Sequence, residues 1–472
     1  MTSVRSQPIF ISLQRLIYLC LFLSGISLCQ SVSGQHLTRR PFLGVQVSQV
    51  TDSIARLNRQ QQPKGAFVVR VIPNSTSATL AIQPGDIIVQ LNDRAVAQWS
   101  ELPTLARSLR TDERVQVTLV RQGKQYVLTG KVQPMPYETG QNAEVVYGEV
   151  PVVGGYARSI LKKPKGQGPF PTVFYIQGFG CSSLDNLPER DSQRQLMDGL
   201  VARGYAVYRM DKPGVGDGQS AKPCSEIGYN EELAAFAAGL KTLKQQPGVD
   251  TTNVFLFGHS LGGNTAPLLA VKSKVKGIIT YGAVGKPWLE YLIEVFREQR
   301  PVSGVDYVQI DEDMRTLLPL TYELLLLKKT PEELAKNEAY RPFLRENLDY
   351  DGRGHLFGRH YTFLQELQDI PFTKSWKEAG AHTLAMYGEA DVQAIDADGA
   401  RLVTDIVNQY HPGKATFALV PRTDHGFTEV GTRQDYRRLM DSGQYETVAA
   451  ARFNQGVVKL IADWMDGKRS IP

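Results

Sequence analysis

The chain contains 472 residues, of which 42% are hydrophobic and 21% are charged, and its formal net charge is +5. This length allows about two to four domains, and the modest charge without a polybasic run argues against nucleic acid as a partner. The mean hydropathy of −0.24 excludes a polytopic membrane protein, and four cysteines are too few for a scaffold built from disulfides.

The first 34 residues have the pattern of a secretory signal peptide. Arg5 and Arg15 give a basic start, and residues 16–29 are almost wholly apolar. That run is shorter than the roughly 20 residues that span a bilayer, and the small residues that follow it favour cleavage. We therefore predict a signal peptide over 1–34 and a mature protein that is periplasmic or secreted, without a membrane span. An N-terminal anchor that is not cleaved is the alternative.

The next hundred residues or so predict a small β-rich unit. Pro84-Gly85-Asp86 is a turn signal before an apolar run, and Gln122-Gly123 marks a hairpin turn. The expected strands are 45–50, 66–72, 87–91 and 114–121, and the apolar spacing of 99–109 predicts a helix.

These features resemble a PDZ domain of the kind found in bacterial envelope proteases. The opening Pro-Phe-Leu-Gly-Val looks like the carboxylate-binding loop, and 72–96 resembles the family's succession of pause, short helix and Gly-Asp turn. The resemblance covers 40–133 and implies that N–H groups near Leu43, Gly44 and Val45 hold the carboxylate of a peptide C-terminus, which adds as a strand. Such a peptide or a protein partner is the expected ligand, and a domain that only packs on its neighbour is the alternative.

Residues 134–143 contain two prolines without clear periodicity and predict a linker. From 144 to 470, short apolar runs alternate with helical patterns. The expected strands are 172–176, 206–210, 254–257, 275–281, 382–387 and 415–420. This alternation predicts a mostly parallel sheet flanked by helices, with functional residues at the carboxyl ends of the strands.

The strongest motif is Gly-His-Ser-Leu-Gly-Gly at 258–263, which directly follows an apolar run and precedes a helical stretch. This is the context of a nucleophile elbow, a sharp strand-to-helix turn that exposes the hydroxyl of Ser260. Gly258 and Gly262 flank the serine because a side chain at either place would clash. The N–H of Leu261 would lie at a helix N-terminus, where positive potential stabilises an oxyanion. A purely structural glycine-rich turn is the alternative.

A serine nucleophile needs a base and an acid that orients the base. His425 is the predicted base because it lies in a loop just after the last expected strand. Asp391 follows the preceding strand and is the predicted acid, and its rivals are Glu389, Asp396 and Asp398.

With Ser260, Asp391 and His425 in this chain order, residues 145–470 resemble the α/β-hydrolase family. The resemblance implies that the N–H of Phe179, in the stretch Gln-Gly-Phe-Gly, is a second oxyanion donor beside the one in the elbow.

The stretch Met-Asp-Lys-Pro-Gly-Val-Gly-Asp-Gly-Gln-Ser at 210–220 resembles the family's Asp-x-x-Gly-x-Gly-x-Ser turn. A phosphate loop is disfavoured because no Gly-Lys-Ser/Thr follows. Loss of the signal peptide leaves two cysteines, which in an exported protein suggest one disulfide. In the family's fold the loops carrying Cys181 and Cys224 are neighbours, so the resemblance implies a Cys181–Cys224 disulfide that braces the site. Two unlinked thiols are the alternative.

Residues 285–380 form an insertion of about 95 residues, at the place where the family has a helical cap. The leucine-rich stretch at 317–327 predicts either an acyl-binding wall or ordinary packing of the cap. Trp288, Tyr291 and Tyr322 are candidate pocket residues.

Together these features predict an exported serine hydrolase that cleaves carboxylic esters through an acyl-enzyme, with a PDZ domain for peptides or partners. Ester chemistry is favoured because it is the commonest chemistry on this frame. The alternatives are a serine peptidase acting on peptides delivered by the PDZ domain, and a non-enzymatic PDZ binding protein. The substrate is then a small ester or a peptide. No cofactor is expected. No metal is expected either, because His355 and His360 lack the spacing of helical metal ligands.

Overall fold

The computed structural model describes residues 36–140 and 142–470. The predicted signal peptide lies outside the described residues. From Leu37 onwards the chain belongs to one compact unit, which contains two large sheets of different architecture. Within the described residues, no helix is both long and apolar enough to cross a membrane.

The N-terminal sheet is antiparallel, with strand order β1-β2-β3-β5-β6 and β4 paired to β3. Its strands are β1 Val45–Gln49, β2 Ala66–Val71, β3 Ile87–Leu91, β4 Arg94–Ala95, β5 Arg114–Arg121 and β6 Lys124–Lys131. The helices are α1 Asp52–Leu57, α2 Thr76–Thr79 and α3 Leu102–Arg107. The four strands expected from the sequence are present. Alternate residues of β5 are buried, such as Val115 and Val117, and they build the core of this sheet.

Two details of this part differ from the expectation. The helix predicted over 99–109 is shorter, because a 3₁₀ turn over Trp99–Glu101 precedes α3, which ends at Arg107. Helix α1 was not expected from the sequence. Its apolar periodicity is weak, because Ala55 is its buried residue. At its start the side chain of Thr51 accepts the N–H of Ile54 and so caps the helix.

The second sheet has eight strands in the order β16-β15-β12-β11-β9-β10-β8-β7. Neighbours from β16 to β10 are parallel, whereas β8 and β7 are antiparallel additions at one edge. The strands are β7 Ala143–Val152, β8 Gly155–Pro164, β9 Phe170–Ile176, β10 Ala206–Met210, β11 Val249–His259, β12 Gly277–Tyr281, β15 His382–Gly388 and β16 Ala415–Val420; the short pair β13 His355–Leu356 and β14 Arg359–His360 is separate. This arrangement confirms the predicted mostly parallel sheet, while the β7–β8 hairpin was not predicted.

Helices cover both faces of the second sheet, which explains its continuous apolar strands. The helices after the linker are α4 Ser192–Ala202, α5 Tyr229–Leu243, α6 Leu261–Lys272, α7 Trp288–Glu294, α8 Arg300–Val302, α9 Tyr307–Leu325, α10 Pro331–Leu334, α11 Arg341–Asn347, α12 Tyr361–Gln368, α13 Phe372–Ala379, α14 Asp398–Tyr410, α15 Arg433–Asp441, α16 Tyr445–Ala449 and α17 Gln455–Asp466. Helices α5, α6, α13 and α14 pack on one face. Helices α4 and α17 pack on the other.

The segment between β12 and β15 is mostly helical and builds an apolar cluster of its own. In α9, Leu317, Leu320 and Leu324 are buried in that cluster, whereas Leu318 is exposed, as is Leu327 just beyond the helix. The leucine-rich stretch therefore packs the cap together, which favours the second of the two interpretations given above.

Buried charges join the segment before β1 to the second sheet. The guanidinium of Arg39 donates to Asp185 Oδ2 at 2.6 Å and to Asp217 Oδ2 at 2.5 Å. Arg158 also donates to Asp217 Oδ2, at 2.9 Å, and Tyr147 donates its hydroxyl to Asp185 Oδ1 at 2.6 Å. Because each carboxylate is almost fully buried, removal of one partner would leave charge without compensation.

Replacing Arg39 with methionine is expected to lower the free energy of unfolding by about 3 kcal/mol, because Asp217 would keep the ion pair with Arg158 whereas Asp185 would lose its ion pair with Arg39. Urea unfolding followed by fluorescence measures the change. The matched control is Lys459→Met, which removes a cation from an exposed ion pair with Asp463 and should leave the midpoint near the parental value. Equal midpoints for the two variants would contradict the importance of the buried network.

Candidate active site

Ser260 lies at the tip of the turn between β11 and α6, with φ 55° and ψ −126°. A positive φ is unfavourable for a serine, so the surrounding backbone must enforce it. A Cβ on Gly258 would lie 2.4 Å from the Gly262 carbonyl oxygen, and one on Gly262 would lie 2.2 Å from that of Ile176. The two glycines are therefore required for β11, α6 and β9 to approach this closely.

The turn is also anchored to the neighbouring strand. The N–H of Ser260 donates to the carbonyl of Tyr281 in β12 at 2.9 Å, and that of Gly263 donates to the Ser260 carbonyl at 2.9 Å. Leu261 opens α6, so its N–H stands at the positive end of the helix dipole.

His425 and Asp391 form a buried pair beyond the ends of β16 and β15. Nδ1 of His425 lies 2.7 Å from Oδ2 of Asp391. The other oxygen of Asp391 accepts the N–H groups of Gln393 and Ala394 at 2.8 and 2.9 Å. Because Nδ1 donates to the carboxylate, Nε2 of the imidazole is the nitrogen free to act as a base.

The rival carboxylates have other partners. Glu389 accepts the N–H of Arg422, and Asp396 accepts that of Asp398. Of the four acids that the sequence offered, Asp391 is the one that the described structure pairs with His425.

The electrostatics of the pair follow from burial and mutual attraction. Burial alone disfavours both charges, but the Asp391 carboxylate and its hydrogen bond raise the pKa of His425 above its usual value. Conversely, the charge of His425 and the donated hydrogen bonds hold the pKa of Asp391 below its usual value despite complete burial. His259 lies beside them, with its ring centroid 4.8 Å from that of His425. Burial and the neighbouring imidazole lower the pKa of His259 to about 3, so His259 stays uncharged.

Two features of this pair were missed by the sequence analysis. Gly282 has φ 60°, and a Cβ there would lie 2.7 Å from both Asp391 Oδ2 and His425 Nδ1, so only glycine leaves room for the pair. Asp424 accepts the hydroxyl of Tyr445 at 2.7 Å and the N–H of Thr428 at 2.8 Å, which shapes the loop that carries His425. For Gly282, the available signal in the sequence was a glycine directly after a predicted β-strand.

The loop after β9 carries Phe179 and lies against the elbow. A Cβ on Gly178 would be 2.9 Å from Cβ of Ser260. The Phe179 ring packs against Trp288 of the cap, with centroids 6.3 Å apart. Cys181, two residues later, forms a disulfide with Cys224, with 6.0 Å between the Cα atoms.

The other candidate residues have different surroundings. Tyr291 donates its hydroxyl to the Gln393 carbonyl at 2.9 Å, whereas Tyr322 is exposed. His355 pairs with Asp351 and Glu226. No group of three or more His, Cys, Asp or Glu side chains suited to a metal ion occurs within residues 36–140 and 142–470.

The predicted carboxylate-binding loop precedes an edge strand. Leu43 is buried, and Gly44 has φ 70° with a would-be Cβ overlapping the side chain of Ser75. The carbonyls of Leu43 and Gly44 accept the N–H groups of Ser77 and Ile72, at 3.0 and 2.9 Å. Strand β1, which begins at Val45, lies at the edge of its sheet beside β2, and an edge strand can accept an added one.

Two regions of the chain match known protein families. Residues 41–132 match the PDZ domain family, and residues 191–411 match the family described as serine aminopeptidase, S33. The chain contains a PDZ domain followed by an α/β-hydrolase domain, as the sequence predicted.

Individual relatives are distant and partial. A probable periplasmic serine endoprotease DegP-like protein of Marinomonas sp. (strain MWYL1) is 25% identical over 136 residues, covering 27% of this chain and 29% of its own. Esterase EstD of Thermotoga maritima is 24% identical over 282 residues, covering 54% of this chain and 65% of its own. Esterase FrsA of Photorhabdus laumondii is 30% identical over 153 residues, covering 32% of this chain and 34% of its own. The chain thus spans between 29% and 65% of the length of these relatives. The hydrolase domain is distantly related to esterases, and the PDZ domain is similar to that of DegP-like proteins.

Replacing Asp391 with asparagine is expected to lower the pKa of His425, because the charge that raises it is lost. NMR titration of the histidine ring protons measures this pKa directly. The carboxylate stabilises the protonated imidazole, so without it the ring stays neutral down to a lower pH. Asp396→Asn is the matched control and should leave the titration unchanged. A pKa of His425 that is the same in both variants would contradict the assigned pairing.

Proposed function

We propose that the chain is an exported serine hydrolase that cleaves carboxylic esters through an acyl-enzyme formed on Ser260. The observation that carries the proposal is the 2.7 Å contact between His425 Nδ1 and Asp391 Oδ2, in the same domain as a serine with φ 55° at a strand-to-helix turn. A serine in a strained strand-to-helix turn and an imidazole oriented by a carboxylate are the two parts that nucleophilic catalysis by a serine hydroxyl requires.

The mechanism assigns one role to each residue. Nε2 of His425 takes the hydroxyl proton as Ser260 attacks the ester carbonyl, and Asp391 stabilises the imidazolium that forms. The N–H groups of Leu261 and Phe179 bind the oxyanion of the tetrahedral intermediate. His425 then protonates the leaving alcohol, after which it activates the water that releases the acyl group.

Ester cleavage is preferred because two relatives of the hydrolase domain, EstD and FrsA, carry the name esterase. A serine peptidase remains the second candidate, supported by the family description serine aminopeptidase and by the endoprotease named among the PDZ relatives. A non-enzymatic PDZ binding protein is disfavoured, since a binding protein has no use for a strained serine and a buried His–Asp pair.

Export is supported by two observations besides the signal-like start. The Cys181–Cys224 disulfide suits an oxidising compartment, and a relative with a similar PDZ domain is described as periplasmic. We therefore place the mature protein outside the cytoplasm, in the periplasm or secreted.

The test of the catalytic assignment uses the full-length protein. A fluorophosphonate probe is expected to label the parent and to leave Ser260→Ala unlabelled, and the variant should lose at least about 1,000-fold in ester kcat/KM, because the nucleophile is gone. Labelling is read on a gel and turnover from p-nitrophenyl acyl esters. An unlabelled parent would exclude a serine hydrolase. Faster turnover of aminoacyl p-nitroanilides than of the esters would instead assign the chain to the peptidases.

The PDZ domain is expected to bind peptides through their terminal carboxylate, by adding a strand beside β1. Fluorescence anisotropy with a library of labelled peptides should select binders, and capping the C-terminus of a binder as an amide should weaken it about tenfold or more, since charge-assisted hydrogen bonds are lost. Equal affinity of the free and amidated peptides, or no binding, would indicate a domain that only packs on its neighbour.

A further inference from the structure

A buried lysine lies behind the loop that carries Phe179. Lys212 follows Asp211 just after β10 and has no exposed surface. Its Nζ donates to the carbonyl oxygens of Gly178 at 2.6 Å and Phe179 at 3.1 Å, and it pairs with Glu232 Oε1 at 2.9 Å. The three protons of the ammonium therefore have three acceptors.

The surrounding charges complete a closed network. The second oxygen of Glu232 accepts from Arg359 Nη2 at 2.8 Å, and Arg359 Nη1 donates to the Phe179 carbonyl at 3.0 Å. Burial lowers the pKa of Lys212 to about 8 even though Glu232 opposes this. A desolvated ammonium is costly to keep in a fold, so the groups that it touches indicate its purpose.

The contact with Gly178 bears directly on the proposed oxyanion hole. The carbonyl of Gly178 and the N–H of Phe179 are the two ends of a single peptide unit. In a trans planar peptide these two ends point in opposite directions. A cation bound to the oxygen thus sets the direction of the N–H and increases its polarisation, because hydrogen bonds along a chain strengthen one another.

We propose that Lys212 is a positioning residue of the oxyanion hole, which binds the Gly178 carbonyl and so directs and polarises the Phe179 N–H toward the oxyanion of the tetrahedral intermediate. This inference rests on the serine hydrolase function proposed above. It predicts a contribution made in the transition state rather than in substrate binding.

Asp211 supports the same loop from its far end. Its carboxylate accepts the N–H of Leu184 at 2.7 Å and the hydroxyl of Ser183 at 2.8 Å. Consecutive residues of one turn therefore hold both ends of the stretch 178–184. In this loop Arg359 donates to the Phe179 carbonyl, which belongs to the next peptide unit, whereas Lys212 donates to the Gly178 carbonyl of the donor peptide itself.

The experiment compares Lys212→Met with the matched control Lys162→Met in the full-length protein. Lys162 is a buried lysine of β8 whose Nζ donates to Asp198 of α4, and this ion pair includes no residue of the elbow or the Phe179 loop. Steady-state kinetics with a p-nitrophenyl ester give kcat and KM. The affinity for a trifluoromethyl ketone, which adds to the serine as a hemiketal oxyanion, and the melting temperature are measured alongside.

We expect Lys212→Met to lose about 10- to 100-fold in kcat, with KM within about twofold, since an oxyanion donor is misdirected rather than removed. Trifluoromethyl ketone affinity should fall in the same proportion, and Lys162→Met should keep parental kinetics. A kcat for Lys212→Met within about twofold of the control, or a loss confined to KM, would overturn the proposal. A parent that neither turns over the ester nor reacts with a fluorophosphonate would overturn the proposed function first.

A second variant guards against a folding defect. Lys212→Gln keeps a neutral N–H donor at this position, and it is expected to lose about tenfold in kcat with KM unchanged. If Lys212→Met does not fold, a parental kcat in Lys212→Gln overturns the proposal, and a loss in kcat with parental ketone affinity does the same.

Discussion

The close approach of three backbone segments at Ser260 is the constraint on which the site depends. Strand β11 must turn into α6 within one residue, and β9 must pass against that turn. The distances from would-be Cβ atoms to Gly262 O and Ile176 O, 2.4 and 2.2 Å, show that neither flanking position tolerates a side chain. The serine takes the unfavourable φ because α6, β9 and β12 are all held by the sheet around it. The packing around the sheet thus supplies the energy that keeps the serine in this strained turn.

The parts predicted from sequence are those whose signals are local. The elbow motif, its apolar strand and its helix lie within some twenty consecutive residues, and a strand followed by Asp391 or His425 has the same local character. Because the predicted strands are parallel, their carboxyl ends lie at one edge of the sheet, and this brings the residues that follow them together. The β7–β8 hairpin was not predicted because β7 is mostly half-buried and the middle of β8 is continuously buried, so neither strand shows the alternation that marks a strand.

What could not be predicted are contacts between distant residues of ordinary types. The position of Gly282 just after β12 marks it as a special residue, but the sequence does not show that the His425–Asp391 pair occupies the space that it leaves. Lys212, Glu232 and Arg359 come from a turn, a helix and the cap, and each alone looks like a solvated charge. The folded structure shows that they are buried together. Pairing between residues so far apart in the chain is decided by tertiary packing.

The glycine-rich turn after β10 shows how one short stretch serves two domains. Asp211 and Lys212 hold the loop of Phe179, while Asp217, a few residues on, binds Arg39 at the entrance to the PDZ domain. Its glycines make this possible: Gly216 has φ 64°, and a Cβ there would lie 2.1 Å from Asp211 Oδ2. The turn must therefore fold tightly back on its own first carboxylate. Since the charges on both sides of the turn are buried, the attachment of the PDZ domain and the geometry of the oxyanion loop rest on the same few backbone dihedral angles.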